Sequence, residues 1–247
     1  MILALTDVFK NIERQTDLRA IILTGAGDKA FCAGTDITEL TEVADRAEDR
    51  GDRGAPKGET GVETRAREIS ERGHILCNQI EGCGVPVIAA VNGIAAGGGC
   101  ELALACHLRI ASPTARFSLP EIRLGVIPAY GGTQRLAREI GNGRALELML
   151  TGRTVHADEA LELGLLNRLA PAGELFAEAE GLANEIAGLA PLAIRACLEA
   201  VIKGAELPLA EGLALEAKLF AGLFATEDVR EGTRAFLEKR RPVFRGF

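Results

Sequence analysis

Two hydrophobic periods alternate along the first two thirds of this chain. "LTDVFKNIERQ" (residues 5–15) carries an apolar stripe at helical spacing, and "RAIILTG" (19–25) is a continuous apolar run of strand length. "TDITELTEVAD" (35–45) opens like a capped helix. The helical period returns in "ETRAREISERGHILCNQIEG" (63–82), after which "PVIAAVNG" (86–93) and "HLRIASP" (107–113) read as buried strands. Residues 45–61, "DRAEDRGDRGAPKGETG", are almost wholly charged, Gly or Pro, and are expected to form an exposed, mobile loop. From about residue 173 only helical patterns follow: "ELFAEAEGLANEIAGL", "LAIRACLEAVIKG", "LAEGLALEAKLFAGLFA" and "EDVREGTRAFLEKR". The pattern predicts an α/β core over residues 1–172 and a helical region over 173–247. No repeat of fixed period interrupts it.

One stretch breaks the pattern. "AVNGIAAGGGCELALACH" (90–107) runs from a strand ending near Asn92 through three glycines into an apolar helix beginning near Gly98, with a single carboxylate, Glu101, inside it. Adjacent glycines weaken a helix start unless the backbone must come close to something there. The free N–H groups of such a start, with the helix dipole behind them, are half of an oxyanion hole. A second glycine turn, "FCAGTDI" (31–37), could supply another N–H from the opposite side. Glu121 follows Pro120 in "FSLPEIRLGVIP", so two carboxylates are available for proton transfer beside a carbonyl. Each part also has a plainer role: glycines for close helix packing, Glu101 for the helix dipole, Glu121 as a surface acid in a turn.

Composition narrows the partners. The 247 residues are 47% hydrophobic, enough for one sizeable core, and carry a net charge of −7 with 4% aromatic residues. Neither a basic footprint nor a stacking platform for nucleic acid is present. The one basic cluster is the tail "EKRRPVFR", with Lys239, Arg240, Arg241 and Arg245. Six cysteines form no C-x-x-C pair and three histidines stand apart, so the chain predicts neither disulfides nor a metal site. No apolar run approaches the roughly 18–20 residues of a membrane helix, and no secretory leader is read, which makes the cytoplasm the expected compartment.

"RAIILTGAGDKA" satisfies the loose dinucleotide fingerprint G-x-G-x-x-A, which would suggest hydride transfer. That fingerprint requires the glycine turn to open a helix, whereas "FCAGTD" follows here and predicts another turn. The phosphate loop G-x-x-x-x-G-K-[ST] and the G-x-S-x-G elbow are absent.

"FCAGTDI", "PVIAAVNGIAAGGGCELALACHLRIAS", "FSLPEIRLGVIPAYGGTQRLAREIG", "ALELMLTGRTVHADEALELGLLNRL" and "FATEDVREGTRAFLEKR", in this order over nearly the whole chain, resemble the enoyl-CoA hydratase/isomerase (crotonase) family. The resemblance implies an α/β spiral of repeated β-β-α units with a helical C-terminal trimerisation region, assembled as a homotrimer or homohexamer. It implies an acyl-CoA thioester substrate, hydrated reversibly from trans-2-enoyl-CoA to 3-hydroxyacyl-CoA with no separate cofactor. Carried over by position, the oxyanion N–H groups fall on Thr35 and Gly98 and the two glutamates on Glu101 and Glu121. Ala33, Gly34, Thr35, Asp36 and Ile37 would meet coenzyme A, as would Phe236 and Lys239 of the C-terminal helix. Two departures stand out. The family's opening strand has no counterpart before "MILALTDVF", and the charged loop is long where relatives line the acyl pocket. An isomerase of the same fold and a catalytically silent binding subunit are the competing expectations.

Overall fold

The computed structural model describes residues 1–12, 15, 17–49 and 61–247. The chain opens with helix α1 (Ile2–Ile12), then strands β1 (Ile21–Thr24) and β2 (Ala30–Cys32), and helices α2 (Ile37–Asp49) and α3 (Gly61–Glu81). A second round follows, with β3 (Val87–Val91), β4 (Ile94–Ala96) and α4 (Gly98–Ala105). A third contains β5 (Leu108–Ala111), β6 (Arg116–Ser118), a 3-10 turn at Glu121–Leu124, α5 (Gly132–Ile140) and α6 (Asn142–Thr151). β7 (Val155–His156), α7 (Ala157–Glu162) and β8 (Arg168–Leu169) complete the core, and α8 (Leu175–Ala187), α9 (Pro191–Gly204), α10 (Leu209–Leu223) and α11 (Glu227–Leu237) form the C-terminal region.

From β1 to β6 successive strands go to different sheets, and β7 then joins β6 in the same one. One sheet has the order β1-β3-β5-β8 and is parallel throughout; the other has the order β2-β4-β6-β7, with only β6 and β7 antiparallel. Each round therefore adds one strand to each sheet before a helix returns the chain, which is the β-β-α spiral expected from the resemblance. β3 explains the continuous apolar run in "VIAAV": Val87, Ala89 and Val91 pack into the main core, while Ile88 and Ala90 face a second cluster with Ala179 and Leu182 of α8. A parallel strand covered on both faces has no polar side.

The "TGAGDKA" turn opens no helix. It joins β1 to β2 and is held by Asn92, whose Nδ2 donates to the carbonyls of Gly25, Gly27 and Ala30 while its Oδ1 accepts from the Gly25 N–H. This turn lacks the helix N-terminus a dinucleotide pyrophosphate needs.

The charged segment departs from expectation. Residues 45–49 continue α2 and Gly61 opens α3, while residues 50–60 lie outside the described residues. A charge run in "EVADRAED" is compatible with helix because Ala and Glu are strong helix formers, and a solvated face needs no apolar stripe. Asp36 starts the helix, its Oδ1 accepting from both the N–H and the hydroxyl of Thr38. The first helix, Ile2–Ile12, starts three residues before the apolar stripe read at 5–15, and residues 13 and 14 lie outside the described set.

Sequence analysis singled out no role for Arg109, yet it is buried. Its guanidinium donates to the carbonyls of Cys106 and Leu165 and pairs with Glu139 at 2.9 Å, tying the end of α4 to α5 and to the turn before β8. His107 is a structural histidine: Nδ1 accepts from the Val87 N–H and Nε2 lies 3.0 Å from the Glu81 carbonyl.

Candidate active site

Each of the three glycines opening α4 has its own neighbour. Gly97 holds φ at +52°, and a Cβ there would lie 3.0 Å from Oε1 of Glu121. A Cβ on Gly98 would strike the Tyr130 ring at 2.7 Å. One on Gly99 would overlap the Cys32 carbonyl, with its oxygen at 1.9 Å. The junction is glycine-rich because a carboxylate, an aromatic ring and the end of β2 all press on it.

The 31–37 turn approaches from β2. Gly34 is at φ +101°, and a Cβ on it would sit 2.8 Å from the Ala96 carbonyl oxygen and 3.6 Å from the Gly98 nitrogen. Gly98 is the first residue of α4, so its N–H has no intrahelical acceptor. Among the described residues neither this N–H nor that of Thr35 meets an acceptor. Both residues line a cavity of about 460 Å3, together with Ala33, Gly34, Asp36 and Tyr130. Its apolar wall includes Leu76, Cys77 and Leu102, and its rim carries the Glu39–Arg72 ion pair that links α2 to α3.

Glu101 lies one turn into α4 and is almost fully buried. Its Oε1 accepts from the N–H groups of Tyr130 (2.7 Å) and Gly132 (2.6 Å), the latter being the first residue of α5. Burial pushes its carboxyl up to about 7; those two N–H bonds pull it down and the Glu121 charge adds to the rise. Gly132 leaves room for the carboxylate, since a Cβ there would lie 2.9 Å from Oε1. Glu121 begins the 3-10 turn. Its carboxyl is raised by burial, and its Oε2 is buried without a hydrogen-bonding partner among the described residues.

The remaining expected contacts divide. Ala33, Gly34, Thr35 and Asp36 surround the cavity, whereas Ile37 is exposed at the start of α2. Phe236, 83% exposed on α11, and Lys239, at φ 54°, line no part of it within one chain. Part of the basic tail is engaged: Arg240 pairs with Glu231 and Glu238. The N–H groups of Arg245 and Gly246 donate to Asp228.

Sequence reasoning passed over Tyr130 and Gly132, because a backbone N–H has no side-chain signature. The only available signal was a second glycine pair before a helix in "AYGGTQ", echoing the one before α4. Two unengaged N–H groups on converging turns, beside two carboxyls held ready to keep a proton, can stabilise an oxyanion and transfer protons next to it.

Strands divided between two sheets, with this pair of glycine turns at one cavity, supply the parts of an oxyanion-stabilising type of site. The chain belongs to the enoyl-CoA hydratase/isomerase family, whose model matches residues 1–246. It is 40% identical over 234 residues to the short-chain-enoyl-CoA hydratase of Clostridium acetobutylicum, covering 95% of this chain and 83% of that protein. With the crotonyl-CoA hydratase of Syntrophomonas wolfei it shares 37% identity over 98% of this chain and 86% of the relative. The crystal structure of an enoyl-CoA hydratase from Bacillus anthracis superimposes with a TM-score of 0.87 at 39% identity, over 100% of this chain and 88% of that one.

Proposed function

We propose that this protein is an enoyl-CoA hydratase, adding water reversibly across the double bond of a trans-2-enoyl-CoA to give the 3-hydroxyacyl-CoA. The observation that carries the reading is the convergence of both glutamates on the start of α4: Glu101 lies in its first turn, and Glu121 Oε1 sits against Gly97. Hydratase relatives at about 40% identity support hydration over the isomerase and silent-subunit alternatives.

In this mechanism the thioester oxygen accepts from the N–H groups of Thr35 and Gly98. Ionised Glu101 takes a proton from a water as its oxygen bonds to C3. The electron pair of the double bond moves to C2 and the thioester oxygen, and Glu121 gives its proton to C2. The reverse reaction returns both protons. Water is the only co-reactant, so the balance requires no metal or redox group, and coenzyme A enters as part of the substrate. We assign Ala33, Gly34 and Asp36, which line the cavity, to the coenzyme end, together with the adjoining Ile37.

The reading extends to the assembly and setting. A homotrimer, or a homohexamer built from two, would cover the apolar faces of α9 and α10 and bring Phe236 and Lys239 of one chain toward the coenzyme on another. A cytoplasmic setting in fatty-acid metabolism completes the reading. Among the described residues no helix is long and apolar enough to cross a membrane.

The decisive test is turnover of crotonyl-CoA, followed by loss of the conjugated enoyl-thioester absorbance, in Glu101→Gln and Glu121→Gln. Each variant is expected to lose roughly 10²- to 10⁴-fold in kcat with KM little changed. Turnover near the parent rate in either variant overturns the role given to that residue.

A further inference from the structure

We infer that Tyr130 sets the acyl-chain length this site accepts, restricting it to short enoyl groups; the inference rests on the hydratase reading above. Tyr130 is 6% exposed and forms part of the cavity wall. Its ring lies between two glycines. A Cβ on Gly98 would meet it at 2.7 Å, and a Cβ on Gly73, in the middle of α3, would lie 1.9 Å from a ring carbon. A glycine inside a 21-residue helix weakens that helix, so its placement under the ring marks a seat for this side chain. The phenol is tethered as well, its oxygen accepting from the Thr35 hydroxyl at 2.9 Å.

Two features then locate the ring relative to the substrate. The thioester oxygen is assigned to the N–H groups of Thr35 and Gly98, and the ring touches both residues. The C3 atom is assigned to Glu101, whose Oε1 is held by the N–H of Tyr130 itself. The carbons beyond C3 therefore leave the reacting centre past residue 130, where a buried ring fixed at three points occupies the space a longer chain needs. Because the N–H that holds Glu101 is backbone, substitution of the side chain alters the pocket while leaving that bond in place.

The test compares Tyr130→Ala, Tyr130→Leu and Tyr130→Phe with the parent. Two series are read: kcat/KM for crotonyl-CoA and trans-2-decenoyl-CoA, and calorimetric Kd for the unreactive saturated thioesters butanoyl-CoA and decanoyl-CoA. The parent is expected to favour the four-carbon member in both series. Tyr130→Ala should raise the long-to-short ratio by roughly 10- to 100-fold, expressed mainly in KM and Kd. Tyr130→Leu should shift it part of the way, while Tyr130→Phe keeps the ring and the short-chain preference. The saturated thioesters report the pocket without turnover, so an absence of hydratase activity leaves this test intact. A parent that binds decanoyl-CoA as tightly as butanoyl-CoA overturns the inference whether or not any variant folds. A short-chain preference unchanged in folded Tyr130→Leu overturns it too.

Discussion

In α4 every residue after Gly98 is buried, whereas α9 and α10, which carry Val201, Leu209, Leu213 and Phe220, bury none fully. Both regions are strongly apolar, and by sequence pattern alone both read as helices with a core to reach. The difference lies in what covers them. α4 is enclosed by its own chain, between α3, α5 and the strands β2 and β4, while α9 and α10 pack chiefly on each other. One region finishes a site within a single chain; the other presents the surface through which, in our proposal, copies of the chain assemble. Hydrophobicity specifies that a face must be covered, but not by what.

The strongest way to break the comparison is to place one methyl group in the enclosed region. Gly99→Ala puts a Cβ against the backbone of Cys32, which cannot move aside without shifting β2. A loss on the order of 4 kcal/mol or more is expected, read as insoluble expression or a collapsed melting transition. A variant that melts like the parent would show that α4 is less tightly enclosed than its geometry indicates.

Gly132→Ala probes the same enclosure through chemistry instead of stability. Its Cβ would lie 2.8 Å from Cγ of Glu101, so the carboxylate must turn away from the Gly132 N–H. A displacement near 1 Å at a reacting group costs about 10² in rate, and kcat for crotonyl-CoA should fall by about that factor with the fold retained. An unchanged kcat would mean that the α5 N-terminus does not fix Glu101.

These two positions also show what the sequence makes legible. The triple glycine, Glu101 and Glu121 announce themselves because unusual residues stand where periodicity predicts ordinary ones. Gly132, Tyr130 and Gly73 do not, since their roles depend on contacts between elements distant in the chain, 31 residues apart for Glu101 and Gly132. β1, β3 and β5 are visible as apolar runs, whereas the two- and three-residue strands β2, β4, β6, β7 and β8 are too short to show a period, and the β-β-α winding was available only through the family resemblance. In residues 45–49 the charge pattern that suggested a loop belongs to the end of a helix, because charge does not report backbone geometry. Phe236 and Lys239 are legible only as positions, and one chain does not bring them to the cavity.

Enclosure has a pH signature as well. The Glu101 carboxyl is raised to about 7 in the folded chain, above its ordinary value of 4.5, so between these pH values the folded state holds more protons than the unfolded state. Stability from this group is complete at low pH and is lost as pH rises from about 4.5 through about 7. Glu121, also raised, acts in the same direction, while His107, lowered by burial, acts oppositely below its usual 6.5. The difference between parent and Glu101→Gln isolates the Glu101 part. Denaturant unfolding at pH 5 and pH 8 should show the variant gaining on the parent by on the order of 2 kcal/mol. A constant difference across that range would place Glu101 in an environment far more polar than its burial indicates.

The smallest effect on the single chain is expected on α10, and it completes the comparison. Leu213 and Phe220 are more than half exposed, so replacing either with Ser removes little that the chain itself covers. Chemical denaturation at high dilution should place Leu213→Ser and Phe220→Ser within about 0.5 kcal/mol of the parent, the range usual for surface substitutions. Sedimentation velocity should respond quite differently, with the parent moving as a trimer or hexamer and the double variant shifted toward the monomer. If the apolar face of α10 is covered by another copy, its energy exists only in the assembly and becomes concentration-dependent, unlike the burial in α4. A parent that sediments as a monomer at every concentration would leave α10 facing solvent, and Phe236 and Lys239 would then have no route to a neighbouring coenzyme. A double variant that unfolds several kcal/mol more easily at high dilution would show instead that α10 supports its own chain, making the two regions alike.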